Sequence, residues 1–166
     1  MLIREIMPED AESLVGLMKQ VEAEAEYMLM EPGERKGSPE QQRKWLERLK
    51  KESNSTILVA EQEGEPIVGY LAAIGGDTRR TKHTAYLIIG ILKEYTGCGI
   101  GTKLFQSLEE WAINHNILRL ELSVVNQNEA GVALYKKMGF EIEGIKRNSL
   151  MIDGTLLNQY FMSKLF

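Results

Sequence analysis

Only one cysteine, Cys98, stands among the 166 residues, so no internal disulfide can form. The two histidines, His83 and His115, lie far apart and leave no C-x-x-C or H-x-x-x-H spacing for zinc, so no structural metal is expected. Long apolar runs are missing as well. The longest, Leu87-Ile88-Ile89-Gly90-Ile91-Leu92, is far too short to cross a bilayer, and Arg4, Glu5, Glu9 and Asp10 break up the start of the chain where a secretory leader would be apolar. We therefore expect a soluble, cytoplasmic protein with no membrane association. Nor is there an excess of basic residues: Lys and Arg number 20 against 24 Asp and Glu, a formal net charge of -4. Nucleic acids held through their phosphates need a basic face, so no nucleic-acid partner is expected. With 43% hydrophobic and 27% charged residues, disorder is excluded, and the length fits a single domain over residues 1–166 able to bury its own core.

Within those bounds the residues alternate between two periods. Met1 to Ile6 reads as a strand. Pro8-Glu9-Asp10 then suits the first turn of a helix whose stripe is Leu14, Leu17, Met18, Val21, Ala25 and Met28. Met30 to Gly37 is a loop. Ser38, placed before Pro39 and three residues before Gln41, predicts a capping box and a second helix through Trp45, Leu46 and Leu49. Thr56–Glu61 and Ile67–Ile74, separated by Glu63-Gly64-Glu65-Pro66, read as a hairpin. Arg79 to His83 is a basic, solvated connection into a strand over Thr84–Leu92. Leu104, Phe105, Leu108, Trp111 and Ala112 form one helical face, and Leu118–Val125 alternates as a strand, so strand, helix and strand make a parallel pair. Asn128 caps a further helix turning Ala130, Ala133, Leu134 and Met138 inward and ended by Gly139. Phe140–Ile145 and Leu156–Lys164, joined across Ile152-Asp153-Gly154-Thr155, are two more strands. The fold class is mixed α/β, with antiparallel strands first and a strand-helix-strand-helix unit later.

The densest glycine cluster falls between the strand ending near Leu92 and the helix of Leu104: Tyr95-Thr96-Gly97-Cys98-Gly99-Ile100-Gly101-Thr102. Glycines at alternate positions let successive backbone NH groups line a concavity at a helix N-terminus, which suits a diphosphate. A Walker loop would need Lys directly after the last glycine, where Thr102 stands. A dinucleotide fingerprint would need a third glycine at the same position. Read alone, the turn could also be a tight packing device.

The stretch from Gly90 to Leu104 resembles the acetyl-coenzyme A signature of the GNAT-type N-acetyltransferases. A second segment, Asn128-Glu129-Ala130-Gly131-Val132-Ala133-Leu134-Tyr135-Lys136-Lys137-Met138-Gly139-Phe140, is similar to that family's later motif, N-x-x-A-x-x-L-Y-x-x-x-G-F. The pair stands in the family's order and spacing. The resemblance implies the acyl-CoA N-acyltransferase fold, a central mixed and mostly antiparallel sheet flanked by helices with a splayed parallel pair in its middle. It implies acetyl-CoA as cofactor and direct acetyl transfer to the primary amine of a small molecule or protein; the alternative is a non-catalytic acyl-CoA-binding module. Backbone NH groups of Gly97, Cys98, Gly99, Ile100, Gly101 and Thr102 would hold the diphosphate, with Thr96 among the cofactor-binding residues at the start of the turn. Ile89 and Ile91 would offer main-chain groups to the pantetheine arm, and Asn128 would contact the cofactor. Tyr135 would stand near the thioester sulfur as the acid. The family usually carries Gln or Arg where this chain has Thr96, so the grip on the phosphates should rest on backbone donors.

Acetyl transfer also needs a deprotonated amine. Some relatives place a carboxylate on the fifth strand where this chain has Ser123, and serine cannot act as a base unaided. Glu121, on the same strand face, is a candidate, as is ordered water. Cys98 lacks a histidine nearby in sequence and is not read as a nucleophile. The resemblance implies acceptor contacts from Tyr27 to Lys36 and from parts of Asp153 to Phe161, with Tyr27, Glu31 and Glu34 as substrate-binding candidates and the acids favouring a cationic acceptor. Tyr160-Phe161-Met162 would contribute to a sheet edge in a possible homodimer.

Overall fold

Runs of β-branched and apolar residues become strands where both faces can be covered, and here seven of them share one sheet. The computed structural model describes residues 1–64 and 66–166; Glu65, in the expected hairpin turn, lies outside them. Its strands are β1 (Leu2–Glu5), β2 (Thr56–Glu61), β3 (Ile67–Gly75), β4 (Thr84–Ile91), β5 (Arg119–Val125), β6 (Glu141–Ile152) and β7 (Thr155–Leu165), in the spatial order β1-β2-β3-β4-β5-β7-β6. Every neighbouring pair is antiparallel except β4 and β5, which run parallel. The helices are α1 (Ala11–Glu24), α2 (Pro39–Lys50), α3 (Ile100–Asn114) and α4 (Glu129–Lys137). The expected mixed α/β architecture, with a parallel pair inside an otherwise antiparallel sheet, is what forms.

The core lies on both faces of β2–β4. Leu14 and Val21 of α1 and Ile100, Leu104 and Leu108 of α3 are at most 2% exposed. Burying each such side chain contributes about 1.5–3 kcal/mol before entropy is counted. Local chemistry starts α2 as expected: Ser38 Oγ accepts from the Gln41 NH and Gln41 Oε1 accepts from the Ser38 NH, both at 3.2 Å. The β6–β7 hairpin turns on Asp153 (φ 50°) and Gly154 (φ 77°), the left-handed pair that a two-residue primed turn demands.

Four expectations are corrected. Helix α1 stops at Glu24, since Ala25 is extended (ψ 142°) and exposed, so the stripe does not run on to Met28. In α4, Ala130 and Ala133 are exposed, and the buried residue is Tyr135, flanked by Val132, Leu134 and Met138; the nine-residue helix touches the body by the side facing α3. Strand β6 continues to Ile152 because β7 goes on pairing with it past an irregularity between Lys146 and Leu150. Finally, Tyr160-Phe161-Met162 do not form a sheet edge: β7 is paired on both sides, and β6 is the outer strand.

Candidate active site

The parallel pair is short. β4 meets β5 only at Thr84↔Arg119, Ala85↔Leu120 and Tyr86↔Glu121, yet β4 runs on to Ile91 and β5 to Val125. Beyond Tyr86 the two strands separate. The Leu92 NH donates to the Val68 carbonyl at 3.0 Å, and the antiparallel register continues through Gly90↔Tyr70 and Ile88↔Ala72. Alternation therefore turns the peptide groups of Ile89 and Ile91 away from β3 and into the gap, where β5 offers them no ladder.

At the end of β4 the chain makes a 3-10 turn over Lys93–Tyr95 and enters α3. Gly97 (φ 76°) and Gly99 (φ 81°) are left-handed, and a Cβ at either would meet open space, so conformation and not crowding demands glycine there. None of the backbone NH groups from Gly97 to Thr102 finds an acceptor among the described residues; the first bond back into the turn is Lys103 NH to Gly99 C=O, 3.1 Å. A run of free donors at a helix N-terminus fits a diphosphate. Thr96, expected among the cofactor-binding residues, does not reach outward: its NH at 3.2 Å and its hydroxyl at 2.7 Å both donate to the Lys93 carbonyl and close the turn. Cys98 is exposed, its Sγ 3.8 Å from the Thr96 carbonyl. Gly101 has a packing role, because a Cβ on it would lie 2.8 Å from Leu134 Cδ2.

That contact brings the two motifs together. Asn128 caps α4, its Oδ1 accepting from the Gly131 NH at 3.1 Å, and its Nδ2 has no acceptor among the described residues. Tyr135 is 8% exposed, edge-on to Phe105 of α3 and to Phe140. Its phenol makes no hydrogen bond to the described residues and is pushed up to about 12, first by burial and then by the Tyr86 phenol. Tyr86 marks the last rung of the β4–β5 ladder.

A family model described as acetyltransferase (GNAT) family matches residues 18–140. The chain belongs to that family. The L-amino acid N-acetyltransferase AaaT of Escherichia coli (strain K12) is 30% identical over 121 residues, 72% of this chain and 74% of its own. The crystal structure of an acetyltransferase of GNAT family from Streptococcus pneumoniae is 32% identical with a TM-score of 0.95, covering 99% of both chains. A GNAT superfamily phosphinothricin acetyltransferase from Sinorhizobium meliloti, solved in complex with AcCoA, shares the fold at a TM-score of 0.85 and 18% identity, over 99% of this chain and 88% of that one. Family membership makes this chain an N-acetyltransferase with acetyl-CoA as co-substrate. No helix among the described residues is long and apolar enough to cross a membrane.

In this GNAT domain several site features were not foreseen from the sequence. Lys137 of α4 places its Nζ 3.3 Å from Thr102 Oγ1, so a cation stands beside the free donors. Glu24, in the last turn of α1, accepts from the Lys93 NH at 2.8 Å, and that bond, ahead of one from Gln20, holds its carboxyl below the ordinary value. Ser123 Oγ is buried with no partner among the described residues. It lies on β5 two residues past the last rung to β4. Glu121 is not free: Arg119 donates to it through Nε at 2.8 Å and to Glu143 through Nη1 and Nη2, and the Glu143 carboxyl falls to about 2 through Arg119 and then the Ser163 hydroxyl.

On the loop between α1 and α2, Glu31 and Glu34 are exposed. The half-buried Tyr27 has its phenol raised by desolvation and then by the carboxylates of Glu26 and Glu129, which puts it within electrostatic reach of the first turn of α4. Beneath α1 and α2 lies a cavity of about 250 Å³ reaching Ile88 of β4.

Proposed function

We propose that this acetyltransferase moves the acetyl group of acetyl-CoA directly to the primary amine of a small molecule or protein, as a cytoplasmic enzyme whose catalytic domain is residues 1–166. One observation carries the reading: free backbone donors from Gly97 to Thr102 follow a strand whose Ile89 and Ile91 peptide groups have lost their β5 partner. Acetyl-CoA supplies an activated acyl carbon and a thiolate leaving group. The Gly97–Thr102 NH groups bind its diphosphate, with Lys137 adding a positive charge where Thr96 is too short to help. Ile89 and Ile91 hold the pantetheine arm through main-chain hydrogen bonds, and the free Asn128 Nδ2 donates to it.

Tyr135 keeps its proton throughout the working pH range and donates it, or a hydrogen bond, to the departing sulfur. On the other side the acceptor amine loses one proton. Glu121 is held by Arg119, so we assign this step to water on the unpartnered Ser123 hydroxyl. Two bound reactants held in place account for the rest of the rate. The acceptor enters past Tyr27, with Glu31 and Glu34 drawing a cationic amine toward the loop. A homodimer is compatible with the exposed outer strand β6.

An amine panel with acetyl-CoA and free-thiol detection tests the reading. Thiol release stoichiometric with an acetylated amine is expected. Tight coenzyme A binding without turnover on any amine would instead mark a non-catalytic acyl-CoA-binding module.

A further inference from the structure

The cavity beneath α1 and α2 is walled by Met18, Trp45, Ile74 and Ile88, and three polar side chains interrupt it, Arg35, Gln42 and Tyr70. Arg35 comes from the loop between α1 and α2. Its Nε and Nη2 donate to the carboxylate of Glu22 at 2.7–3.0 Å, and Glu22 is 2% exposed. The Glu22 bond holds the guanidinium firmly protonated against partial burial. A guanidinium carries five N–H donors; Glu22 takes two, and the remaining three have no acceptor among the described residues. Tyr70 is 1% exposed, and its phenol, pushed up to about 12 mainly by burial, makes no hydrogen bond to the described residues. Its ring crosses β4 at Gly90, where a Cβ would lie 2.6 Å from Tyr70 Cε1.

We infer that this cavity is the acceptor pocket and that it selects amines carrying a carboxylate on an apolar body, free amino acids in chemical class. The inference rests on the acetyltransferase reading and deepens it. A carboxylate takes the free edge of the Arg35 fork and the Tyr70 hydroxyl, satisfying donors that have no acceptor among the described residues. The pair with Glu22 fixes that edge in position and leaves the pocket neutral before the carboxylate arrives, which favours a zwitterion over a polyamine. Met18, Trp45 and Ile74 receive the apolar body. Ile88 stands on the stretch of β4 that has left β5, so the amine end faces the gap where acetyl is delivered.

The test compares each acid with its own carboxamide: leucine with leucinamide, phenylalanine with phenylalaninamide, and the ω-amino acid aminocaproate with its amide, which spans both placements of the amine. The α-carboxamides have the less basic amines, so chemistry alone favours the amide. The native enzyme should nevertheless prefer at least one acid over its amide by about tenfold or more in kcat/KM, as expected for a charge-assisted pair. Removing Arg35 alone would strand the buried Glu22 carboxylate, so the variant is the double substitution Glu22→Gln with Arg35→Gln, in which the acid-to-amide ratio should collapse. Tyr70→Phe, which keeps the ring, should lower the ratio by a few-fold and serves if the double variant fails to fold. Calorimetric binding of acetyl-CoA reports whether each variant retains the donor site. An amide used as well as its acid, a ratio unchanged in the variants, or turnover only on polyamines or peptide N-termini overturns the inference while acetyl transfer stands. No turnover on any amine overturns the reading beneath it.

Discussion

Tyr135→Phe removes one oxygen from the place where the two motifs meet. The ring contacts with Phe105 and Phe140 survive the change, and the hydroxyl gives up no protein hydrogen bond among the described residues. Stability should therefore stay within about 0.5 kcal/mol of the native protein. Catalysis should not. A hydrogen bond to a charged partner contributes about 1.5–3 kcal/mol, and each 1.36 kcal/mol is tenfold in rate, so kcat should fall about 10- to 150-fold. Both KM values should move little if the bond forms only as the sulfur leaves. The phenol titrates at about 12, and its protonated form is the active one; its contribution is present below that value and lost as pH rises through it. The native rate should thus show no alkaline limb from Tyr135 below about pH 11. Steady-state thiol release, a thermal melt and a pH profile of kcat read all three quantities. An unchanged kcat, or a loss matched by a fall in acetyl-CoA affinity, would refute the acid role.

Further outcomes follow from other contacts. Gly99→Ala forces a side chain into φ 81° and should cost about 1–2 kcal/mol, read as a lower melting temperature, with weaker acetyl-CoA binding by calorimetry because the donor run is displaced. Gly101→Ala places a Cβ 2.8 Å from Leu134 Cδ2 and should destabilise by about 1–3 kcal/mol, less if the leucine rotates; a melt no different from native would show the two helices are not tightly packed. If Glu31 and Glu34 attract the acceptor, Glu→Gln at both should raise its KM and leave that for acetyl-CoA unchanged. Arg4 donates to Asp10 at 2.7 and 2.8 Å and lowers the Asp10 carboxyl from its ordinary 3.8. That stabilisation is full above the unfolded value and lost as pH falls through the depressed one, so in acid titrations Arg4→Met should flatten the fall in stability below about pH 4.

What could be read in the sequence was chemistry confined to a few adjacent residues. Ser38 with Gln41, Asp153-Gly154, and the glycines at 97 and 99 each announce a backbone conformation through one or two side chains, and each appears where it was expected. Longer patterns did less well at their ends. The stripe from Leu14 continues numerically to Met28, but periodicity cannot see where the chain is pulled elsewhere. Lys146 to Ser149 lack strand composition: Lys146 pairs with Gln159, residues 147–149 fall in an irregularity before pairing resumes at Leu150, and the Asn158 side chain, accepting from the Asn148 NH at 2.9 Å, ties that irregularity to β7. The long-range contacts around the candidate site, Arg35 with Glu22, Lys137 with Thr102 and Glu24 with Lys93, join residues 13, 35 and 69 positions apart. Nothing in the spacing of those pairs distinguishes them from ordinary surface charges.

Glu24 shows how such a distant contact acts on local structure. An acid in the last turn of a helix opposes the macrodipole, and the final turn of α1 carries no basic residue to offset it. The opposition is met from outside the helix: the Glu24 carboxylate takes the Lys93 NH, a backbone donor at the entrance to the glycine turn. With that bond made, the next residue turns extended and the loop carrying Tyr27, Glu31, Glu34 and Arg35 begins. That hydrogen bond ties the end of α1 and the start of this loop to the segment that leads into the free backbone donors. The loop that begins at Ala25 and the glycine turn are thereby tied to each other by a hydrogen bond that neither motif contains by itself.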